Sequence, residues 1–281
     1  MSITTRFAPS PTGMLHLGHA FVALDAWQRA RRAGGRFLLR VEDIDANRCR
    51  PDYTRALLED LRWLGLDWDG AVRMQSAHLP EYRIALDRLQ GERLLYPCFC
   101  TRADVARSVT APHGPDGAVY PGTCRHLSPD ERARRIESGA PFALRLDLAA
   151  ACIRTGRLSF VEQGRGRVDC QPERFGDVVL SRRDAVGSYH LCVTHDDAAQ
   201  GVTLVSRGTD LLAATDIHRV LQALMGWPEP EYVHLPLLTG PDGRRLSKRD
   251  GADSLRGMRE AGRTPADVRV LMRDASNRVA P

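Results

Sequence analysis

Two histidines, His16 and His19, stand where a loop rich in Pro, Ser, Thr and Gly gives way to a helical pattern. A helix N-terminus presents unpaired N–H groups and a partial positive charge, so it favours anions. Both imidazoles can reach one phosphate from the first turn, and Gly18 between them lets a flat base approach the backbone. The segment predicts a nucleotide-phosphate site. Two surface histidines at a helix start are the simpler alternative.

A second candidate is Lys248, the chain's only lysine among 40 Lys+Arg residues. It follows the last predicted strand in a polar, glycine-containing segment. A lysine ammonium acts as a point charge toward phosphates. A mobile lysine can neutralise the charge that develops on a leaving pyrophosphate. A solvated basic turn is the alternative, which the isolation of this lysine disfavours.

Three of the seven cysteines, Cys98, Cys100 and Cys124, cluster in a stretch without an evident helix or strand pattern. Thiolates are soft ligands, and structural zinc takes four ligands in a tetrahedron. Spacing alone offers His113 or His126 as the fourth ligand. The cluster predicts a structural zinc that staples this loop, with three reduced structural cysteines as the alternative.

The flanking elements predict the fold. The pattern strand, helix, strand, helix over the first 64 residues indicates a doubly wound parallel sheet, whose ligands lie at the carboxyl ends of the strands. Segments 142–146 and 158–161 look like strands of an inserted subdomain. The later elements are a strand at 189–193 followed by Asp196 and Asp197, a helix from Thr209 or Asp210 to Met225, a strand at 232–236, and short helices near 253–261 and 265–274.

Composition and charge limit which partners and which cellular location are expected. A net charge of +5 and a pI of about 9.0 permit a nucleic-acid partner without requiring one. No apolar run approaches the roughly 20 residues that span a membrane, and the N-terminus lacks the apolar stretch of a signal peptide. We therefore expect a cytoplasmic protein without a membrane partner.

The segments 6–19 and 245–249 resemble the first and second signatures of class I glutamyl-tRNA synthetases, and the resemblance extends to about residue 275. It implies an α/β fold: a Rossmann-type class I aminoacyl-tRNA synthetase catalytic domain with a parallel sheet, split by a zinc-stapled α+β insertion. The expected divisions are a first catalytic half at 1–96, a zinc-binding and connective insertion at 97–186, a second half with the Lys248 loop at 187–249, and a short helical C-terminal segment without an anticodon-binding domain at 250–281.

Only about 30 residues follow the second signature, and in this respect the chain resembles the truncated glutamyl-queuosine tRNA(Asp) synthetases. That resemblance implies ATP-dependent activation of L-glutamate, with Mg²⁺ on the ATP, and transfer to queuosine in the anticodon loop of tRNA(Asp). We expect a monomer. The alternatives are a truncated glutamyl-tRNA synthetase that charges a tRNA 3′ end, a non-catalytic zinc-containing RNA-binding relative, and a small nucleotidyltransferase.

The resemblance also assigns residues. It implies that His16, His19 and Lys248 are catalytic and that, together with Gly18, they bind ATP. Glutamate needs a guanidinium for its side-chain carboxylate and a carboxylate for its ammonium. The implied glutamate pocket is formed by Arg6, Phe7, Ala8, Pro9, Ser10, Glu42, Tyr189 and Arg207, with Glu42 receiving the ammonium. The implied ligands of one structural Zn²⁺ are Cys98, Cys100, Tyr120 and Cys124.

Overall fold

The computed structural model describes residues 2–107, 113–115, 117–239 and 254–277. The strands are β1 (Thr4–Phe7), β2 (Arg36–Val41), β3 (Arg73–Met74), β4 (Leu95–Cys98), β5 (His113–Gly114), β6 (Gly117–Ala118), β7 (Ala143–Leu146), β8 (Ser159–Glu162), β9 (Gly166–Asp169), β10 (Val179–Ser181), β11 (Leu204–Gly208) and β12 (Glu231–Leu235).

The helices alternate with these strands. They are α1 (Leu17–Arg32), α2 (Pro51–Trp63), α3 (Leu79–Gly91), α4 (Arg102–Arg107), α5 (Pro129–Glu137), α6 (Leu148–Thr155), α7 (Tyr189–Ala199), α8 (Ala214–Met225), α9 (Leu255–Glu260) and α10 (Pro265–Asn277). Short 3-10 helices cover Gln75–His78, Pro172–Phe175 and Thr209–Leu211. The structure therefore confirms the predicted α/β class.

Parallel strands from both ends of the chain form the centre of the fold. β1, β2 and β3 pair in parallel, and so do β11, β12 and β8. The two groups meet where the backbone N–H of Thr203 donates to the carbonyl of Thr4 at 2.9 Å. β1 and β11 thus lie side by side, and their carboxyl ends face the same edge, where ligands of such sheets bind.

The alternation of side chains along each strand separates the two faces of this sheet. On β1, the Thr5 hydroxyl donates to the carbonyl of Ala26 in α1, whereas Arg6 points to the opposite face and reaches α7. On β11, Ser206 donates to Asp25 of α1, and Arg207 points to the α8 side. Helix α1 therefore covers one face, and the buried arginines lie on the other.

The insertion has a sheet of its own. β4, β7 and β10 pair antiparallel, and β5 and β6 form a separate two-stranded hairpin. The strand expected at 158–161 differs from its predicted position, because β8 pairs with β12 in the central group, Tyr232 opposite Glu162. Its position in the chain, after the cysteine cluster, predicted that this strand belongs to the insertion. Its backbone, however, pairs with a strand 70 positions later in the sequence. The domain boundaries themselves remain a prediction.

The strand predicted at 189–193 is wrong, since Tyr189 begins helix α7. Seven of the eleven residues of α7 are buried, among them the polar His190 and Asp197, so the helix does not show the continuous exposed polar face that marks an amphipathic surface helix. A short apolar run does not distinguish a buried strand from a buried helix. Asp196 and Asp197 accordingly lie within the helix and do not follow a strand.

The final helices return to the first half of the chain. Val268, Met272 and Ala275 of α10 share a buried cluster with Ala20 and Ala23 of α1. The helix end predicted at Met225 is confirmed, with Gly226 in a left-handed conformation at φ 68°. The predicted start at Thr209 or Asp210 is wrong, because a 3-10 helix covers Thr209–Leu211 and α8 begins at Ala214. Within the described ranges, no helix has both the length and the apolar character needed to cross a membrane.

Candidate active site

A cavity of about 550 Å³ opens beside the carboxyl ends of β1, β2 and β11. Every residue predicted to bind glutamate or ATP, apart from Lys248, lines this cavity: Arg6, Phe7, Ala8, Pro9, Ser10, His16, Gly18, His19, Glu42, Tyr189 and Arg207. Lys248 lies outside the described residues. Residues 6–19 and those near 207 are distant in sequence, so the central sheet brings the two sets together.

Arg6 is a buried guanidinium with a carboxylate partner inside the protein. Its Nε and Nη2 donate to the two carboxylate oxygens of Asp197 at 3.0 and 3.4 Å, and Nη1 donates to the Ser206 carbonyl at 3.2 Å. Asp197 also accepts from Arg40 at 2.8 Å. The Asp197 carboxylate therefore compensates two arginines and fixes the orientation of Arg6 at the cavity wall.

Glu42 lies at the end of β2 beside the fully buried Arg40, with Oε1 3.6 Å from Nη2 of that arginine. Burial raises the pKa of Glu42 to about 7, although Arg40 and Arg6 attract its charged form. Burial destabilises the ionised carboxylate, so a cationic ligand beside it stabilises that form strongly. Its environment suits an ammonium group that enters the cavity.

Arg207 differs from Arg6 because it has neutral partners. Nε donates to Nε2 of His234 at 3.1 Å, Nη1 bonds Nδ1 of His218 at 3.1 Å, and Nη2 donates to the Thr215 hydroxyl at 2.7 Å. Across the described residues, no acidic side chain forms an ion pair with Arg207. Only 4% of its surface is exposed. A buried positive charge without a protein carboxylate is suited to an anionic ligand.

The two histidines form the N-terminal cap of α1. The backbone N–H of Gly18 donates to Nδ1 of His16 at 3.1 Å, and the N–H of His16 donates to Nδ1 of His19 at 3.2 Å. Both Nδ1 atoms are therefore acceptors, and each ring carries its proton on Nε2. A Cβ on Gly18 would lie 3.0 Å from Cε1 of His16, so glycine leaves room for this ring.

Both ends of the segment that carries Lys248 are described, and both lie at this site. Leu238 lines the cavity, and Ser254 pairs with His16 in an isolated antiparallel bridge. The N–H of Leu255 donates to the carbonyl of Leu15 at 2.8 Å.

Several residues at the site were not predicted from the sequence. Asp197, Thr215, His218 and His234 hold the cavity arginines, and Glu162 holds His234. Each lies on a different element from the arginine it contacts, so no local motif marks it. The Asp196-Asp197 pair was the one available signal, since consecutive acids in an apolar segment require buried cationic partners.

The sulfur atoms of Cys98, Cys100 and Cys124 lie within 4.8 Å of one another. Tyr120 joins them: its hydroxyl oxygen lies 3.7 Å from Sγ of Cys100 and accepts from the N–H of Cys124 at 2.7 Å. His126 is exposed and outside the cluster, and the His113 side chain lies outside the described residues. Three thiols and one phenol oxygen therefore converge, and this donor set fits a tetrahedral zinc.

A second cavity, of about 970 Å³, lies between this cysteine cluster and the first cavity. Tyr189 lines both cavities. Arg145, Arg182 and Arg183 also line the second one, and the guanidinium of Arg145 lies 3.9 Å from the ring centroid of Tyr120. The second cavity thus offers cations and aromatic surface next to the site that holds Arg207.

Fold and site together define the class. The family of class I tRNA synthetases (E and Q), catalytic domain, matches residues 2–273, and the chain belongs to this family. The resemblance seen in its two signatures is confirmed.

The relatives of this chain include proteins named glutamyl-Q tRNA(Asp) synthetase and glutamate–tRNA ligase. The chain is 51% identical over 280 residues to a glutamyl-Q tRNA(Asp) synthetase of Rhodobacter capsulatus, covering 95% of this chain and 99% of that protein. It is 39% identical to a glutamate–tRNA ligase of Aquifex aeolicus, covering 94% of this chain but 55% of that one. The crystal structure of a glutamate tRNA ligase from Elizabethkingia meningosepticum in complex with its amino acid is similar, with a TM-score of 0.74 and 29% identity, covering 89% of this chain and 53% of the other.

Proposed function

We propose that this protein activates L-glutamate with ATP and transfers the glutamyl group to queuosine in the anticodon loop of tRNA(Asp). The main support is that one cavity contains three suitable features. Arg207 has no carboxylate partner among the described residues, Glu42 is a desolvated carboxylate, and two histidines cap a helix. The relative from Rhodobacter capsulatus supports the choice of acceptor, because the two proteins align over nearly their whole lengths.

Glutamate binds through its charges. Arg207 receives the side-chain carboxylate, since two of its five N–H groups remain beyond the three bonds described above. Glu42 receives the ammonium, and that contact offsets the burial that raises its pKa. Arg6, whose charge Asp197 compensates, is held in a fixed orientation at the cavity wall. Phe7, Ala8, Pro9, Ser10 and Tyr189 complete the walls.

The first step joins the α-carboxylate of glutamate to the α-phosphate of ATP. The new O–P bond forms as the bond to the β-phosphate oxygen breaks, giving glutamyl-adenylate and pyrophosphate. The Nε2–H groups of His16 and His19 stabilise the added charge on the phosphates, and Lys248 stabilises the leaving pyrophosphate. Mg²⁺ accompanies ATP and supplies further positive charge.

In the second step a hydroxyl of the queuosine cyclopentenediol attacks the adenylate carbonyl carbon. The new ester C–O bond forms as the bond from that carbon to the phosphate oxygen breaks, and AMP leaves with the hydroxyl proton on its phosphate. We assign entry of the acceptor nucleotide to the second cavity, because it shares Tyr189 with the first. Arg145 and Arg183, which have no carboxylate partner among the described residues, suit the phosphates of an anticodon loop, whereas Arg182 is paired with Asp45 and Asp184. No side chain forms a covalent intermediate in this scheme.

A zinc ion held by Cys98, Cys100, Tyr120 and Cys124 is the proposed structural cofactor. Its ligands come from the end of β4, from Cys100 just after it, and from the segment that follows the β5–β6 hairpin, and three of them are more than 90% buried. Binding would fix the wall of the second cavity that Cys100 and Tyr120 line.

The decisive experiment uses labelled glutamate, ATP and tRNA(Asp) that either carries or lacks queuosine. We expect labelling of the queuosine-containing tRNA alone, and ATP–pyrophosphate exchange that requires glutamate. Lys248→Ala is the matched inactive variant, and it should fold normally while losing exchange.

Other outcomes separate the parts of this proposal. Labelling of both tRNA forms would refute the queuosine acceptor and favour charging of a tRNA 3′ end, the reaction named for the Aquifex relative. Absence of glutamate-dependent exchange would refute the catalytic role. Full exchange by Lys248→Ala would refute the role of that lysine.

A further inference from the structure

Arg207 is held by a hydrogen-bonded chain that begins on a different strand. Both oxygens of Glu162 contact His234: Oε1 accepts from its backbone N–H at 2.8 Å, and Oε2 lies 2.7 Å from Nδ1. Nε2 of the same ring accepts from Arg207 at 3.1 Å. Glu162 ends β8, His234 lies on β12, and Arg207 lies directly opposite His234 on β11. This series of hydrogen bonds therefore crosses three adjacent strands.

Donor and acceptor chemistry fixes the protonation of this chain. An arginine only donates, so the nitrogen of His234 that faces Arg207 carries no proton. An ionised carboxylate only accepts, so the nitrogen that faces Glu162 carries the proton. Burial, followed by the charge of Arg207, lowers the pKa of His234 to about 4, so the ring is neutral at physiological pH. One tautomer, Nδ1–H, satisfies all contacts.

The imidazole also keeps a carboxylate away from Arg207. A direct Glu162–Arg207 pair would neutralise the guanidinium, as Asp197 does for Arg6. With His234 between them, Glu162 orients Arg207 while the guanidinium charge stays uncompensated by direct contact. Tyr232 supports the ring from beside it, with the two planes inclined by 7°. Thr215 and His218 hold the other two nitrogens without adding negative charge.

We infer that Glu162 and His234 are positioning residues that hold Arg207 as an oriented cation for the side-chain carboxylate of the amino-acid substrate, and thereby favour glutamate over glutamine. The inference rests on the proposed function, in which Arg207 binds that carboxylate. It adds two residues that do not line the cavity and that no sequence motif marks.

Glu162→Gln is the sharpest substitution, because it keeps the shape and changes one acceptor into a donor. The amide oxygen can accept from either the N–H or Nδ1–H of His234, but not from both. If the amide NH₂ faces Nδ1, the ring must carry its proton on Nε2, opposite the N–H of Arg207. We expect the KM for glutamate to rise about tenfold or more and the KM for ATP to stay within about twofold.

Two further measurements separate positioning from general stability. The preference for glutamate over glutamine in ATP–pyrophosphate exchange should fall about tenfold in Glu162→Gln. Nitrogen NMR of ¹⁵N-histidine-labelled wild-type protein should show His234 as the Nδ1–H tautomer. The matched control is Glu231→Gln on β12, an exposed glutamate whose carboxylate bonds Gln163, and it should behave as wild type.

Three results would overturn the inference: an Nε2–H tautomer of His234 in the wild type, unchanged KM and amino-acid preference in Glu162→Gln, or an equal rise in both KM values with a lowered melting temperature. The tautomer measurement needs no substitution, so it decides even if the variant fails to fold. Absence of exchange by the wild type would refute the proposed function instead, and the tautomer would still test the chain of hydrogen bonds.

Discussion

At the scale of single residues, the site separates charges that the protein compensates from charges that it leaves for a ligand. Arg6 has a bidentate carboxylate partner, whereas Arg207 has two neutral imidazoles and a hydroxyl. Glu42 lies 3.6 Å from Arg40 but is desolvated enough to titrate near neutrality. Arg207 and Glu42 are therefore the two charges that we propose for binding a zwitterionic amino acid.

Glu42 predicts a pH dependence of glutamate binding. An ammonium requires the ionised carboxylate, and with a pKa of about 7 the ionised fraction falls as pH decreases below neutrality. We expect the KM for glutamate in ATP–pyrophosphate exchange to rise about tenfold from pH 8 to pH 6. In Glu42→Gln it should be high and independent of pH in this range.

Glu137→Gln, an exposed change on α5, serves as the control and should keep the wild-type pH profile. A wild-type KM that stays constant between pH 6 and pH 8 would contradict the role of Glu42 in holding the ammonium.

At the scale of elements, strand alternation and helix ends place the chemistry. Arg6, Arg40 and Arg207 come from three strands, yet all point to the face that α7 and α8 cover. The N-terminal turn of α1 presents its two histidines to the cavity because they cap the helix. In the insertion, by contrast, Cys98 and Cys124 share a small buried cluster with Tyr96 and Tyr120, whereas Leu95 of β4, Leu146 of β7 and Leu180 of β10 pack in a larger core.

Metal binding by the insertion is testable directly. We expect one zinc per chain by elemental analysis and a melting temperature that falls by about 5 °C or more after chelation, since a structural metal contributes folding free energy. Cys124→Ser should lose the zinc and show the same lowered melting temperature.

Cys152→Ser is the matched control, because this half-buried cysteine lies on α6 outside the cluster. It should retain the metal. A wild-type protein that binds no zinc after purification in its presence, and that does not respond to chelation, would exclude the proposed cofactor.

At the scale of the whole molecule, the C-terminal helices α9 and α10 share one core with α1 and α2. Leu255, Val268 and Met272 pack with α1 and α2. Residues that follow the second signature therefore support α1, the helix whose start belongs to the first signature. This contact contains an unfavourable charge. Asp60 on α2 is fully buried, and its carboxylate oxygens accept no hydrogen bond from the residues that the structure describes. Its carboxylate lies 3.7 Å from the guanidinium of Arg259.

Burial raises the pKa of Asp60 to about 6, so the folded state binds a proton more tightly than the unfolded state. The ionised carboxylate destabilises the fold above pH 6, and this cost disappears as pH falls toward 3.8. We expect Asp60→Asn to increase the free energy of unfolding by about 2 kcal/mol at pH 7.5, and by much less near pH 4. Urea unfolding at both pH values measures the difference.

Asp52→Asn, an exposed change on the same helix, should alter the free energy of unfolding by less than about 0.5 kcal/mol at either pH. Destabilisation by Asp60→Asn at pH 7.5 would show that the attraction of Arg259 exceeds the burial cost.

The sequence by itself determined the features that are local in the chain. The capping histidines, the cysteine spacing, the helix end at Gly226 and the two synthetase signatures each depend on a few consecutive residues, and these identified the family and the residues that line the cavity. Only the tertiary structure showed that α7 is a helix, because most of its residues, polar ones included, are buried and no continuous polar face marks it in the sequence. It also decided which arginine is compensated: Asp197 reaches Arg6 across 191 positions and Glu162 reaches His234 across 72. Pairing of distant strands sets these contacts, so no local pattern records them.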